Sequence, residues 1–272
     1  MSDAYDPQAT EEEASSKSQH MTFKDIRVLG VVILVTALIL YPVYQMGRKK
    51  SEKAQCVNNL KAMGDAIALY ANDHDDGLPV LFREENGVPA VNKRGLPYTW
   101  VSDISKYMNK RASFRCPSAD EKEVVYVEDP TDSKLKIPCT YGMYAAYSGY
   151  KTFNIDLPER TVLLAETSNQ GAMTSFDPLP FKDKDGKPIP DGFVIGWSDS
   201  NLQGGPASKS PTRLAFRDSA NGDFSKAAGR HDEGIHALVA SGARFIMQPK
   251  HVPIRIREGL PSDFWAVPAR RR

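Results

Sequence analysis

Residues 28–46 read VLGVVILVTALILYPVYQM, a run of 19 residues that carries no charge. As an α-helix that rises about 1.5 Å per residue, this run spans roughly 28 Å, close to the hydrocarbon thickness of a bilayer. The run is apolar on every side, whereas a surface helix of a soluble domain keeps a polar face. The acidic Glu11–Glu13 upstream also differs from the basic start of a cleavable signal peptide. The stretch therefore predicts a single membrane-spanning helix that anchors a soluble domain.

The helix is predicted to continue beyond the membrane as an amphipathic extension. Its apolar face steps by four and three residues through Cys56, Leu60, Met63, Ile67 and Tyr70. The sequence has no strong helix breaker between Gln45 and Asn72, so we predict one helix from about residue 26 to about residue 72. Pro42 is expected to kink this helix inside the bilayer.

The remaining chain predicts a β-sheet that covers the apolar face of the extension. Strands are predicted at residues 124–127 and 160–165, a short helix at 99–108, a hairpin at 182–192 and mostly loop at 201–229. The clearest β signal is IHALVASGARFIM at residues 235–247, where two alternating runs flank a predicted two-residue turn at Ser241-Gly242. The predicted fold class is α+β: a long N-terminal helix with a membrane-spanning first half, packed on an antiparallel β-sheet domain with long loops.

Four segments follow from these patterns. Residues 1–20 form an acidic leader that is predicted to be disordered, residues 21–46 the transmembrane helix, residues 47–75 its amphipathic extension and residues 76–272 a globular α+β domain. The net charge of the chain is +1, which argues against a nucleic-acid partner because such binding needs a basic face. The partner that these segments predict is a membrane.

The cysteines are candidates for a disulfide. Cys56, Cys116 and Cys139 lack the CxxC or Cys/His spacing of a zinc site. In an oxidising location outside the cytoplasm two of them can pair, and the sequence leaves all three pairings open. We expect Cys116 to form the disulfide, with either Cys56 or Cys139.

Two acidic clusters are candidates for a cation site. They consist of Asp73, Asp75 and Asp76 at the predicted helix end, and of Asp183 and Asp185 before a glycine. Calcium takes about six to eight oxygen ligands, but neither cluster has the complete D-x-D-x-D-G spacing. We interpret both clusters as exposed turns and keep Ca²⁺ binding as the alternative.

His231, beside Asp232 and Glu233, is the candidate for metal or acid–base chemistry. We interpret it instead as a structural histidine that holds the hairpin of Ser241 and Gly242, with Glu166 as its candidate partner. The sequence contains no nucleophile elbow, P-loop, HExxH or dinucleotide motif. It therefore predicts neither an enzyme nor a bound cofactor.

Four ordered pieces of the sequence resemble a known family. They are YPVY (41–44), CVNNLK with ALYAND (56–73), FRCPS (114–118), and RHDEG followed by Ser241-Gly242 (230–242). The pieces are similar to those of type IV pilins and type II secretion pseudopilins, and most closely to the pilin-like group with a C-terminal H-X9-DG motif. They appear in the order that this group has.

The resemblance implies a structural subunit of a type IV pilus or a type II secretion-type assembly. It implies a single-pass protein of the cytoplasmic membrane, with the N-terminus inside and the C-terminal domain in the periplasm. Its partners would be other pilin-like subunits or further copies of the chain, contacted through the N-terminal helix. Asp25 stands where the family has its assembly glutamate, and Pro42 where it has the helix proline.

Two positions depart from the family pattern. Counting back from Pro42 makes Met21 the first mature residue, but His20 then occupies the place of the cleavage-site glycine. Ser241 replaces the aspartate of the D-G turn. The alternative prediction is therefore a membrane-tethered extracytoplasmic binding module that keeps a pilin-like scaffold without polymerising. A tethered hydrolase is a third class, supported only by His231 and Glu166.

Overall fold

The computed structural model describes residues 23–81, 83–85, 88–90, 93, 98–108, 112–132, 134–144, 147–168, 193–194, 213–217, 228–231 and 233–248. The chain divides into two compact units, residues 1–48 and residues 49–272. The predicted leader at 1–20 and the predicted hairpin at 182–192, with Asp183 and Asp185, lie outside the described residues.

Helix α1 runs from Phe23 to Asp73 without interruption and includes Pro42. Large apolar side chains in its first part are exposed, and the helix is long and apolar enough to cross a membrane. The helix ends where Asp75 and Asp76 adopt positive φ angles of 52° and 59°, the left-handed conformation that commonly terminates a helix. The prediction of one continuous helix from the apolar run to residue 72 is confirmed.

The later elements are a short helix and twelve short strands among the described residues. In chain order they are β1 (Glu84–Glu85), β2 (Val88–Pro89), α2 (Trp100–Ile104), β3 (Val125–Glu128), β4 (Lys136–Cys139), β5 (Tyr141–Tyr144), β6 (Val162–Ser168), β7 (Phe193–Val194), β8 (Arg213–Leu214), β9 (Phe216–Arg217), β10 (Ala228–Gly229), β11 (Ile235–Val239) and β12 (Arg244–Met247). All pairings between these strands are antiparallel.

The main sheet has the strand order β12-β11-β6-β5-β7, and β8 pairs with the end of β6. The central strand β6 is buried along its whole length, as expected for a strand with neighbours on both sides and a covered face. Separate two-stranded pairs are formed by β1 with β2, β3 with β4, and β9 with β10. Helix α2 precedes β3 and is capped at its N-terminus by Thr99, whose side chain accepts a hydrogen bond from the N–H of Val101.

The extension of α1 supplies the helical side of the core. Its buried apolar residues are Cys56, Leu60, Met63, Ala66, Ile67 and Ala71. Gly64 lies on the same surface, where an added Cβ would be 3.0 Å from Cδ2 of Leu238 on β11. The helix therefore packs closely on the antiparallel sheet, and the predicted α+β class is confirmed.

The turn of the β11–β12 hairpin differs from the prediction. The N–H of Val239 donates to the carbonyl of Ala243 at 2.9 Å, so the turn contains three residues, of which Ser241 and Gly242 are two. Gly242 has a φ of +84°, the left-handed position that a three-residue hairpin turn requires and that glycine adopts without strain. The predicted two-residue turn is wrong by one residue.

The segment 201–229, predicted as mostly loop, also contains short strands. The described residues of this segment include β8, β9 and β10. Each of these strands has two residues, which is too short to leave an alternating pattern in the sequence. Arg213 and Leu214 nevertheless matter to the fold, because they extend the main sheet opposite Ser168 and Thr167.

Candidate functional site

A disulfide joins the extension of α1 to the loop that follows α2. Cys56 and Cys116 are bonded, with Cα atoms 5.1 Å apart, and both are fully buried. Asn59, one helical turn further along α1, accepts a hydrogen bond from the N–H of Ser113 and donates one to the carbonyl of Arg115, both at 3.1 Å. At this point helix and loop are thus connected by the disulfide and by both hydrogen bonds of Asn59.

The third cysteine, Cys139, is a buried free thiol. It donates a hydrogen bond to the carbonyl of Tyr141 at 3.1 Å, and burial raises the pKa of the thiol to about 12. Because the thiolate is the reactive form, a thiol with this pKa is inert to exchange at neutral pH. The pairing of Cys56 with Cys116 is one of the two that the sequence allowed for Cys116.

His231 lies between the disulfide and the main sheet. Its Nε2 is 3.6 Å from Sγ of Cys116 and 2.8 Å from Oε1 of Glu166, so the structure contains the His231–Glu166 contact that the sequence suggested. The other oxygen of Glu166, Oε2, accepts a hydrogen bond from the backbone N–H of His236 at 2.9 Å. Because a carboxylate only accepts hydrogen bonds, Nε2 of His231 carries a proton in this arrangement.

Arg230 supplies a buried positive charge to the same cluster. Its guanidinium donates hydrogen bonds to the carbonyls of Thr167 at 2.6 Å and Thr140 at 3.4 Å. It also lies 3.3 Å from Oε1 of Glu123, while its Nε has no partner among the described residues. The Oγ1 of Thr140 in turn accepts a hydrogen bond from the N–H of Cys116 at 2.8 Å. We call Cys56, Cys116, Glu166, Arg230, His231 and His236 the polar cluster.

Glu166 is the electrostatic centre of the polar cluster. Its full burial works to raise the pKa of the carboxyl, but hydrogen bonds to His231 and His236 and the charge of Arg230 outweigh that effect. The net result lowers the pKa of Glu166 from the ordinary value of 4.5 to about 2. The carboxylate is therefore ionised throughout the physiological range, whereas a general acid or base works best with a pKa near the operating pH.

A cleft of about 340 Å³ opens beside His231. Its lining residues are Lys49, Lys50, Glu52, Lys53, Ser118, Arg230, His231 and Glu233. Two contacts join residues that line the cleft. Lys53 forms an ion pair with Glu233 at 2.8 Å, and the hydroxyl of Ser118 donates a hydrogen bond to Glu52 at 3.0 Å. The cleft gives solvent a route to the edge of the polar cluster.

The polar cluster contains four side chains that can hold a metal ion. Within the described ranges, the group of histidine, cysteine and acidic residues whose ligand atoms all lie within 4.8 Å of one another is Cys56, Cys116, Glu166 and His231. The sequence suggested Glu166 as a partner of His231 and Cys56 as one of two partners of Cys116, but it gave no reason to place these two pairs together. The sequence did not predict that Arg230 and His236 belong to the polar cluster. The only sequence signal that linked Arg230 to it was its position directly before His231.

The acidic candidates at the end of α1 act as turn residues. Asp73 accepts a hydrogen bond from the hydroxyl of Tyr107 at 2.6 Å, and the backbone carbonyls of Asp75 and Asp76 accept bonds from the segment 151–152. Their carboxylates do not belong to the group of four ligands just described. Pro42 lies within α1, and the side chain of Asp25 lies outside the described part of the chain.

Comparisons of this chain with models of protein families, with curated proteins and with solved structures find no match.

Proposed function

We propose that this chain is a pilin-like or pseudopilin-like subunit of a type IV pilus or type II secretion-type assembly. The observation that carries the proposal is the division of α1 into two environments. The part before Arg48 exposes apolar side chains on all sides, and the part after it is buried on one face against an antiparallel sheet. A subunit that assembles through its membrane helix needs both parts: a free apolar surface for neighbours and a fixed connection to its head domain, here residues 49–272.

The positions of the family-like motif residues support the proposal. Cys56 and Asn59 from the second piece, Cys116 from the third and His231 from the fourth all meet at the disulfide. Three segments that are distant in sequence therefore cooperate to hold the extension of α1 on the sheet. A shared mechanical role explains why these residue types would occur together in a helix-anchored subunit.

The proposed location is the cytoplasmic membrane, with residues 47–272 in the periplasm. The disulfide supports an oxidising compartment. The positive-inside rule weakly favours the opposite orientation, because four basic residues follow the apolar run and three precede it. Those that follow are Arg48, Lys49, Lys50 and Lys53, and those that precede are Lys17, Lys24 and Arg27. Pilins carry a basic stretch after their membrane helix and still export their C-terminal domain, so the proposal keeps the N-terminus inside.

The polar cluster supports a structural role rather than a catalytic one. Glu166 is buried and ionised, and His231 and the backbone of His236 bind its two oxygens. A buried carboxylate with both oxygens hydrogen-bonded stabilises the fold, and this role suits a subunit without enzymatic activity.

The competing candidate is a membrane-tethered binding module that does not polymerise. His20, in the place of the cleavage-site glycine, favours this candidate because prepilin processing normally precedes assembly. The two candidates differ in one measurable respect, which is whether copies of α1 contact one another or a related helix in the membrane.

Cysteine crosslinking within the apolar run tests that difference. Single substitutions to cysteine at each position from Val32 to Leu38 would be oxidised in native membranes, where Cys139 is buried and the other two cysteines are bonded. For an assembling subunit we expect crosslinked products at positions that repeat every three to four residues, since only one face meets the neighbour. Leu69→Cys, on an exposed part of the extension, is the matched control. Absence of products at every position, or equal yields at all of them, would favour the tethered module.

A pair of exposed phenylalanines tests the topology. Phe23 is 86% exposed before the apolar run, and Phe153 is 72% exposed in the head domain. Phe153→Cys should react with a membrane-impermeant maleimide once the periplasm is accessible, whereas Phe23→Cys should react only after the inner membrane is broken. The reverse pattern would overturn both the location and the pilin-like proposal.

A further inference from the structure

The disulfide, Glu166 and His231 together resemble the ligand set of a transition-metal site. Two sulfurs, one imidazole nitrogen and one carboxylate oxygen lie within 4.8 Å of one another. They come from α1, the loop after α2, β6 and the turn before β11, so the fold itself brings them together. Cys56, Cys116 and Glu166 have no exposed surface, and the His231 side chain is almost completely buried.

The spacing suits a tetrahedral ion with mixed sulfur, nitrogen and oxygen ligands. Zinc bonds of about 2.0–2.3 Å place neighbouring ligand atoms roughly 3.3–3.8 Å apart. The distance from Sγ of Cys116 to Nε2 of His231 is already 3.6 Å. Nε2 and Oε1 of Glu166, now 2.8 Å apart, need to separate by about 0.5 Å to reach that range. The two sulfurs reach it only when the bond between them is broken.

The charges around the cluster also suit a divalent cation. Two thiolates, the Glu166 carboxylate and a neutral imidazole around a doubly charged ion leave a net charge of about −1 at the site. Arg230, whose guanidinium is buried and acts on Glu166, offsets that charge. Without the ion, two buried thiolates beside Glu166 would repel one another, so reduction alone favours protonated thiols.

We propose that reduction of the Cys56–Cys116 disulfide converts the cluster into a binding site for a thiolate-preferring divalent cation of the zinc class. The ligands are Sγ of Cys56, Sγ of Cys116, Nε2 of His231 and Oε1 of Glu166. A dithiol supplies the two electrons and two protons: its own sulfurs form a disulfide while the protein sulfurs become thiols. Binding of the ion then releases the two thiol protons, and the proton on Nε2 of His231 is replaced by one on Nδ1, so that Nε2 becomes a ligand while the imidazole stays neutral. Disulfide and metal are therefore mutually exclusive states of one site.

The surroundings hold the ligands in place in both states. The backbone N–H of His236 fixes Oε2 of Glu166 at 2.9 Å, which leaves Oε1 directed towards His231. The hydroxyl of Thr140 accepts from the N–H of Cys116 at 2.8 Å and anchors that loop. Such outer contacts orient metal ligands, and the cleft beside His231 provides the entry for reductant and ion.

The test uses the full chain in detergent with Co²⁺ as the probe. Thiol labelling of the denatured, non-reduced protein should first give one free thiol, Cys139. A water-soluble phosphine then reduces the disulfide, becoming the phosphine oxide with oxygen from water, and is removed under nitrogen. We expect one Co²⁺ per chain, with thiolate-to-cobalt charge-transfer absorption in the near ultraviolet and visible bands of tetrahedral cobalt. The oxidised protein should show neither absorption.

His231→Ala is the decisive variant because it keeps the disulfide and can be checked for folding before reduction. It should weaken Co²⁺ binding of the reduced protein by about 10-fold or more, whereas Cys139→Ser should bind like the wild type. Zinc should raise the melting temperature of the reduced protein and leave that of the oxidised protein unchanged. The proposal fails if the reduced wild type lacks the thiolate band, or if His231→Ala binds equally well. It also fails if reduction unfolds the chain and neither ion restores the near-ultraviolet circular dichroism.

Discussion

The two halves of helix α1 both carry apolar residues, but these residues have opposite surroundings. In the first half Leu34 is 62% exposed, as are its apolar neighbours to a similar degree, whereas in the second half Leu60 has no exposed surface. The difference lies in the pattern: apolar residues surround the first half completely and occupy one face of the second. An all-apolar surface needs a lipid or helical environment, while a single apolar face is satisfied by one sheet.

The largest expected effect comes from charge in the first half. Leu34→Arg combined with Leu38→Arg places two guanidiniums near the middle of the apolar run, at a cost of about 6 kcal/mol for membrane insertion. We expect most of the protein to be released from membranes by alkaline carbonate. Leu69→Arg, exposed on the second half, should remain resistant to extraction. A double variant that stays embedded would contradict the assignment of the run to the bilayer.

A leucine in the second half should affect the stability of the folded domain instead. Leu60→Ala removes a fully buried side chain and should lower the free energy of unfolding by about 2–5 kcal/mol, because a cavity remains. Leu69→Ala, the same change on the same helix where the side chain is 49% exposed, should cost less than about 1 kcal/mol. Thermal unfolding in detergent, followed by circular dichroism, measures both. Equal losses would mean that the second half is not held against the sheet.

The polar cluster that holds the second half should weaken in acid. Folding lowers the pKa of Glu166 from 4.5 to about 2, so its ionised form favours the folded state. That contribution is fully present above pH 4.5 and disappears as the pH falls towards 2, with a total on the order of 3 kcal/mol. Glu166→Gln should therefore be less stable than the wild type at neutral pH, and the gap should narrow between these pH values.

Urea unfolding at several pH values measures this gap. Glu159→Gln is the control, since Glu159 is an exposed carboxylate and its loss should change little at any pH. A gap for Glu166→Gln that is constant from neutral pH to pH 2 would show that the charge of Glu166 is not what stabilises the cluster.

The sequence predicted most of the helix and little of the cluster, for physical reasons. Helix periodicity and hydrophobic patterning are local, so the bounds of α1 and the buried face through Cys56, Leu60 and Met63 could be read directly. The contact between Glu166 and His231 was suggested only because both residues stood out within or beside apolar strands. The position of His236 depends on strand register between β6 and β11, which a single sequence does not encode in any short-range pattern.

The disulfide shows the same limit. Cysteine spacing left three pairings open, because the loop of 112–116 is positioned by tertiary contacts with Asn59 on α1 and with Thr140 after β4. The predicted length of the hairpin turn was wrong by one residue, because Ser241-Gly242 fits a two-residue turn as well as the end of a three-residue turn. Local chemistry identified the turn, and tertiary pairing decided its length.

The smallest expected effect probes how tightly the second half meets the sheet. An added Cβ at Gly64 would lie 3.0 Å from Cδ2 of the buried Leu238. Gly64→Ala gains about 1 kcal/mol of helix propensity and loses about as much to crowding, so alone it should be nearly neutral. Leu238→Val removes the crowding atoms, and in that background Gly64→Ala should stabilise by about 1 kcal/mol. Gly47→Ala, where a Cβ would meet nothing within 4 Å, should show no coupling to Leu238→Val. Strictly additive effects for Gly64 and Leu238 in urea unfolding would mean that helix and sheet are not in close contact there.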